Sequence, residues 1–189
     1  MKSDHNFRNY ILSRIILTAN YAAIPLYAIH AHDKLDFHIS EAGIFTALMV
    51  VASGFSSFLS GKIGDRFGHK HAMVISFLAY LGALIAALLA ETLWHVYLIF
   101  IFMGIGKGGF ITSAMSLVYE FAGDNDKKIY FALIDSLTAP FVLVAILLSG
   151  FFISTGSIPP VLTVIGFILI AGILALVFLT KEPRTLREV

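Results

Sequence analysis

Six separate apolar runs divide this chain of 189 residues, at approximately 11–29, 42–60, 72–90, 95–119, 129–153 and 160–180. Each is close to or above the about 20 residues that a helix rising ~1.5 Å per residue needs to cross ~30 Å of hydrocarbon. A bilayer supplies no water to backbone N–H and C=O groups, so runs of this length must fold as helices that bond their own backbone. The expected fold is therefore an all-α integral membrane protein, with residues 1–189 forming a single six-helix transmembrane domain. Composition agrees, because 58% hydrophobic against 13% charged residues leaves about half the charge that a soluble domain uses to cover itself. Lys2 and Arg8 precede the first run as they would in a secretory leader. That run is too long for a leader, is interrupted by Arg14 and is followed by no small-residue cleavage site, so it reads as a retained first span.

Basic residues are held on the cytoplasmic side during insertion. Lys2, Arg8 and Arg14 at the amino end, Lys62, Arg66 and Lys70 after span two, Lys127 and Lys128 after span four, and Lys181, Arg184 and Arg187 at the carboxyl end all fall on one side. The opposite connections hold only Lys34, and Lys107 lies inside span four. This places both termini in the cytoplasm and the protein in a cell membrane, inner or plasma. The net charge of +1, with every basic cluster flanking an apolar run, gives no patch for nucleic acid. The chain has no cysteine, hence no disulfide framework, thiolate metal site or thiol nucleophile; no cofactor and no metal is expected.

Polar content separates the spans. Span three offers only Ser76 and Tyr80 as hydrogen-bonding side chains and span six, before its terminal Thr180, only Thr163, which lets both face lipid and suggests a peripheral place. Span one carries Arg14, Asn20 and Tyr21, span four Lys107, Thr112, Ser113, Ser116 and Glu120, and span five Asp135, Ser136 and Thr138. Ionisable groups inside a bilayer face a bundle interior or a water-filled cavity, so these three spans are expected to surround a pathway lined by Asn20, Tyr21, Lys107, Ser113, Asp135 and Thr138. In span four Gly106, Gly109, Ser113, Ser116 and Glu120 form one stripe suited to close helix contact, while Lys107 points about 120° away from Ser113. Lys107 lies about twelve residues, or ~18 Å, from either end of its span, near the midplane. Either it serves the cavity or it is a structural partner of Asp135 or of a backbone carbonyl. Arg14, one turn inside the boundary, reads as a snorkelling anchor. Asp135, ~10 Å deep, must be paired, protonated or facing a cavity. Glu120 lies near Lys127 and Lys128 in sequence and suits a packing or gating ion pair.

The strongest local signal is GKIGDRFGHK at 61–70, where Gly61, Gly64 and Gly68 suit a tight turn and Asp65 and Arg66 set opposite charges at the membrane surface. With Lys70, these residues resemble the signature loop of the major facilitator superfamily in composition, spacing, sidedness and position between spans two and three. The run from Gly104 to Gly109 is similar to the glycine-rich fourth helix of that family, and KEPR at 181–184 to the tail after a sixth helix. Ala139 and Pro140 depart from the family's antiporter motif, so antiport is not implied. The resemblance implies half of the family fold: two inverted three-helix repeats, with helices one and four lining a cavity, three and six outside, and the 61–70 motif acting as a cytoplasmic gate.

Family transporters have twelve helices. The chain is expected to be a natural half-transporter that pairs with itself, one half of a longer protein, or the product of a broken gene; its opening resembles the start of a second half. The implied function is secondary active transport of a small solute by alternating access, as a homodimer or with a second six-helix half, and not an enzyme. An intramembrane serine protease would need a histidine on a later helix, yet none follows His95. An aquaporin-like channel would need two Asn-Pro-Ala loops, and asparagine occurs only at 6, 9, 20 and 125. A non-transporting membrane partner or assembly subunit remains the alternative. If Asp135 carries a coupling proton, Asp135→Asn should uncouple solute movement from a pH gradient while permitting exchange; gradient-driven uptake that is unchanged in this variant removes Asp135 from coupling.

Overall fold

The computed structural model describes residues 2–35, 39–123, 125–155 and 158–184. These residues form α1 (Lys2–Leu17), α2 (Asn20–Leu35), α3 (Ile39–Phe67), α4 (His69–Leu88), α5 (Leu93–Ala122), α6 (Lys127–Thr155) and α7 (Ile158–Leu179). Six helices are long and apolar enough to cross a membrane, the first being α1 and α2 taken together, and no strand occurs among the described residues. Most run past the apolar stretches read from sequence, because polar end residues continue the helical bonding into the boundary region.

The first span is interrupted at Thr18 and Ala19. The Thr18 hydroxyl donates to the Ile15 carbonyl at 2.6 Å, and the Ala19 N–H bonds only three residues back, to Ile16, at 3.3 Å. Threonine and asparagine side chains compete with helical backbone bonds, and Pro25 has no N–H to offer the Tyr21 carbonyl one turn back. A break near the middle of a span leaves backbone and side chains in need of polar neighbours.

The tightest seam joins α3 to α5. Ser56, Ser57 and Ser60 donate their hydroxyls across it to the carbonyls of Ile105, Gly108 and Gly109, at 2.7, 3.0 and 3.1 Å. Such approach requires glycine on the facing helix: a Cβ at Gly104 would meet the Met49 carbonyl and Ala52, and one at Gly108 would strike the Ser53 carbonyl. On the adjoining face, Gly106 lies against the Tyr80 ring and Gly109 against Ser76, seating α4 on α5.

The main neighbours repeat when the first three spans are exchanged with the last three. Span two packs on span four as span five packs on span one, span three on four as six on one, and α4 meets α7. Within this unit α4 packs on α5, α3 and α7 and leaves a stripe of Ile75, Leu78 and Ile85 exposed. Half of its most apolar stretch, 50%, is buried, against 11% for α3 and for α6. Two other helices carry broader exposed apolar faces, including Val51 and Phe55 on α3 and Leu147 on α6.

The seam makes a direct forecast. Gly108→Ala should destabilise the protein by about 1–3 kcal/mol through overpacking, whereas Gly54→Ala and Gly150→Ala, with nothing near the added carbon, should be neutral or stabilising by up to about 1 kcal/mol. Thermal unfolding of the three purified variants in one detergent checks the ranking.

Candidate functional site

Two regions carry polar chemistry. The first is an open cavity of about 490 Å³ between the interrupted first span, α4, α5 and α6. It brings together Asn20, Tyr21, Asp135 and Thr138 from the expected pathway set. Asn20 is the first residue of α2 and is 3% exposed, yet its amide oxygen has no hydrogen-bond partner. Thr138 turns its hydroxyl back to the Ile134 carbonyl at 2.9 Å, and Asp135 is exposed on the cavity wall.

Lys107 and Ser113 are not in this lining. Ser113 is fully buried and donates to the Gly109 carbonyl at 2.6 Å, because its place on the glycine stripe turns it into the helix contact. Lys107 is exposed on α5. Conversely, Arg14 lines the cavity, its guanidinium 4.5 Å from the centre of the Phe110 ring, where the sequence reading sends it toward headgroups. The signal was present: Arg14 and Tyr21 are seven residues, or about two turns, apart and so share a face. Tyr80 and Phe110 also border the cavity, and nothing in their local sequence distinguishes them from other buried aromatics.

The second region lies at the end of the bundle where both termini meet. Residues 61–67 are not a loop but the last turns of α3, and only Gly68 breaks the helix, with φ 101°. That left-handed conformation suits glycine, and a Cβ there would collide with the Glu182 carboxylate; at Gly64 it would collide with the His69 ring, while Gly61 has open space. Arg66 lies over Phe67, 5.2 Å from the ring centre, and the Asp65 side chain is 78% exposed.

The KEPR segment ties this end together. Lys70 of α4 donates its ammonium to the Val177 and Thr180 carbonyls at 2.8 and 2.7 Å, a cation at the carboxyl end of α7. Glu182, just beyond α7, accepts from the Lys70 N–H at 3.1 Å, a carboxylate at the amino end of α4. The two helices thus cap each other. Asn6 donates to the Lys181 carbonyl at 2.8 Å and accepts its N–H at 2.7 Å. Arg184 reaches the Glu120 carboxylate and the Asp65 carbonyl, both at 2.9 Å, and His69 lies 3.8 Å from the Glu120 and Asp65 carboxylates. Glu120 therefore pairs with Arg184 rather than with the sequence-adjacent Lys127 or Lys128.

Membrane-length helices around a cavity with polar groups on its wall, and charged caps gathered at one end, make the architecture of an integral membrane protein. The family model of the Major Facilitator Superfamily matches residues 10–189, and the chain belongs to that family. An uncharacterised MFS-type transporter of Bacillus subtilis (strain 168), YhjO, is 21% identical over 113 residues, 60% of this chain and 28% of that protein. The matched part thus spans little more than a quarter of that relative's length.

The pair of hydrogen bonds between Asn6 and Lys181 has a measurable consequence. Asn6→Ala should free the KEPR segment, and amide exchange across residues 179–184 should speed up about tenfold for each 1.4 kcal/mol of protection lost. Unchanged exchange there would show that Lys70 and Glu182 hold the segment without it.

Proposed function

We propose that the chain is one six-helix half of a secondary active transporter that moves a small solute by alternating access, paired with a second copy or a second six-helix half. The observation that carries this reading is the open cavity at the helix break, where Arg14, Asn20 and Asp135 present polar groups that the other described helices do not cover. Lys107 supports it. A lysine exposed near the midplane of a membrane helix is too costly to leave in hydrocarbon, so a second body with a polar interior should face α5. The exposed faces of α3 and α6 offer the surface for such a body. Basic residues concentrated at the terminal end support a cytoplasmic location of both termini in an inner or plasma membrane.

In this reading the 61–70 segment is a gate. The exposed Asp65 carboxylate is free to meet the amino end of a partner helix, where the helix dipole favours a negative charge by about 0.3–1 kcal/mol. The amino end of α6, with Ile129 63% exposed and Lys127 and Lys128 beside it, is the matching surface on a second copy. That contact would close the cytoplasmic side, so its loss should shift the population toward inward-open states.

Two measurements test the reading. Asp65→Cys and Ile129→Cys, introduced into a chain with no native cysteine, should crosslink between differently tagged copies if the pairing is made, since a disulfide needs Cα atoms within about 7 Å. Only intrachain products, or none, would remove self-pairing. Lys107→Ala should abolish uptake of whichever solutes the wild-type protein accumulates in proteoliposomes while leaving expression and helix content unchanged; full uptake in this variant would exclude Lys107 from the pathway.

A further inference from the structure

Resting on the transporter reading, we propose that the cavity at the helix break binds an amphoteric organic solute, one that carries an anionic group and a protonated amine on a small skeleton. The lining contains two formal charges of opposite sign, Arg14 from α1 and Asp135 from α6. Among the described residues neither makes an ion pair, and the Asp135 carboxylate makes no hydrogen bond. The Arg14 guanidinium is held over the Phe110 ring, which fixes the cation without neutralising it.

A third group points the same way. Asn20 is 3% exposed, and its amide oxygen is a buried acceptor without a donor. A buried polar atom in this state is costly until something supplies the missing hydrogen bond. The ligand must therefore offer an anion to a planar guanidinium fork and N–H donors to a carboxylate and an amide oxygen. An ammonium group brings three donors and a positive charge, and a carboxylate accepts two parallel bonds from arginine.

Charge balance narrows the class further. A simple anion would satisfy Arg14 and leave Asp135 without a counter-charge; a simple cation would do the reverse, and a neutral polyol would leave both. A zwitterion satisfies both at once and enters without changing the net charge of the cavity, which limits the desolvation cost that single buried ions carry. The cavity volume of about 490 Å³ is in the range of small-molecule sites, and Phe77, Tyr80 and Leu143 provide an apolar wall for a side group.

The test is binding to the purified, lipid-reconstituted protein, measured by calorimetry and thermal shift. The probes are L-phenylalanine, L-alanine and 4-aminobutanoate, with 2-phenylethylamine and 3-phenylpropanoate as matched single-charge analogues. At least one zwitterion should bind and raise the melting temperature, and the single-charge analogues should bind at least about tenfold more weakly. Arg14→Gln should weaken the zwitterion at least about tenfold while sparing the amine, and Asp135→Asn should do the same while sparing the carboxylate. If Arg14→Gln does not fold, Arg14→Lys reads the same contact, since it keeps the charge and loses the bidentate fork. The proposal is overturned by a carboxylate that binds as tightly as the zwitterion and is indifferent to Asp135→Asn, or by no binding of any probe. It is equally overturned if each single variant is destabilised and the Arg14→Asp, Asp135→Arg exchange restores stability, because the two charges would then pair with each other. Uptake is measured separately: a zwitterion that binds with this dependence but does not cross the membrane keeps the site and removes the transporter reading.

Discussion

A hydrogen-bonding or charged group facing hydrocarbon costs several kcal/mol, and that penalty orders nearly every polar residue of this chain. Three outcomes are visible. Along the α3–α5 seam, Ser56, Ser57 and Ser60 are satisfied by carbonyls of the facing helix, and glycine makes the approach close enough. At the terminal end, helix ends that would carry open N–H and C=O groups are closed by side chains of other helices, with Lys70 and Glu182 acting as a reciprocal pair. Around the break at Thr18 and Ala19 the groups are left open. What marks the cavity as a site is that two opposite charges border it outside any ion pair among the described residues, Arg14 over the Phe110 ring and the exposed Asp135, beside the Asn20 amide oxygen that no donor reaches.

Much of this architecture is legible in the sequence, for reasons that particular residues make clear. Span number follows from length and apolarity alone, since lipid permits no other backbone solution. The glycine stripe of span four is readable as a packing face because 3.6-residue periodicity aligns Gly106, Gly109 and Ser113. That alignment also removes Ser113 from a pathway, a consequence that the polar census alone does not give. Arg14 was misplaced because depth was judged from the nearest boundary, whereas its face, shared with Tyr21, decides where it points. Low polarity describes both a lipid-facing helix and one covered by other helices, and α4 has both sides: Met73, Phe77 and Ala83 are buried while Ile75, Leu78 and Ile85 are exposed.

The segment at 61–70 shows how a motif can be recognised while its shape is not. Glycine spacing suggests a turn, yet in a long helix Gly61 and Gly64 are tolerated, and Gly64 is needed for the His69 ring rather than for backbone freedom. Only Gly68 turns the chain. The tail at 181–184, which carries little signal of its own, is bonded to α1, α4 and α5 and so links the end of the last helix to the start of the first. A movement of any of these helices against the others must break or carry those bonds.

The central claim is that the uncovered polar groups of α5 and α6 border water and not lipid. With no native cysteine, single cysteines at Lys107, Asp135, Phe167 and Phe178 can be tested in native membranes with a water-soluble, charged maleimide. Phe167 and Phe178 are 70% and 77% exposed on α7, a helix with few polar groups. The account predicts labelling at positions 107 and 135 and none at 167 and 178; protection at 107 and 135 equal to that at 167 and 178, in protein that is otherwise folded, would contradict it.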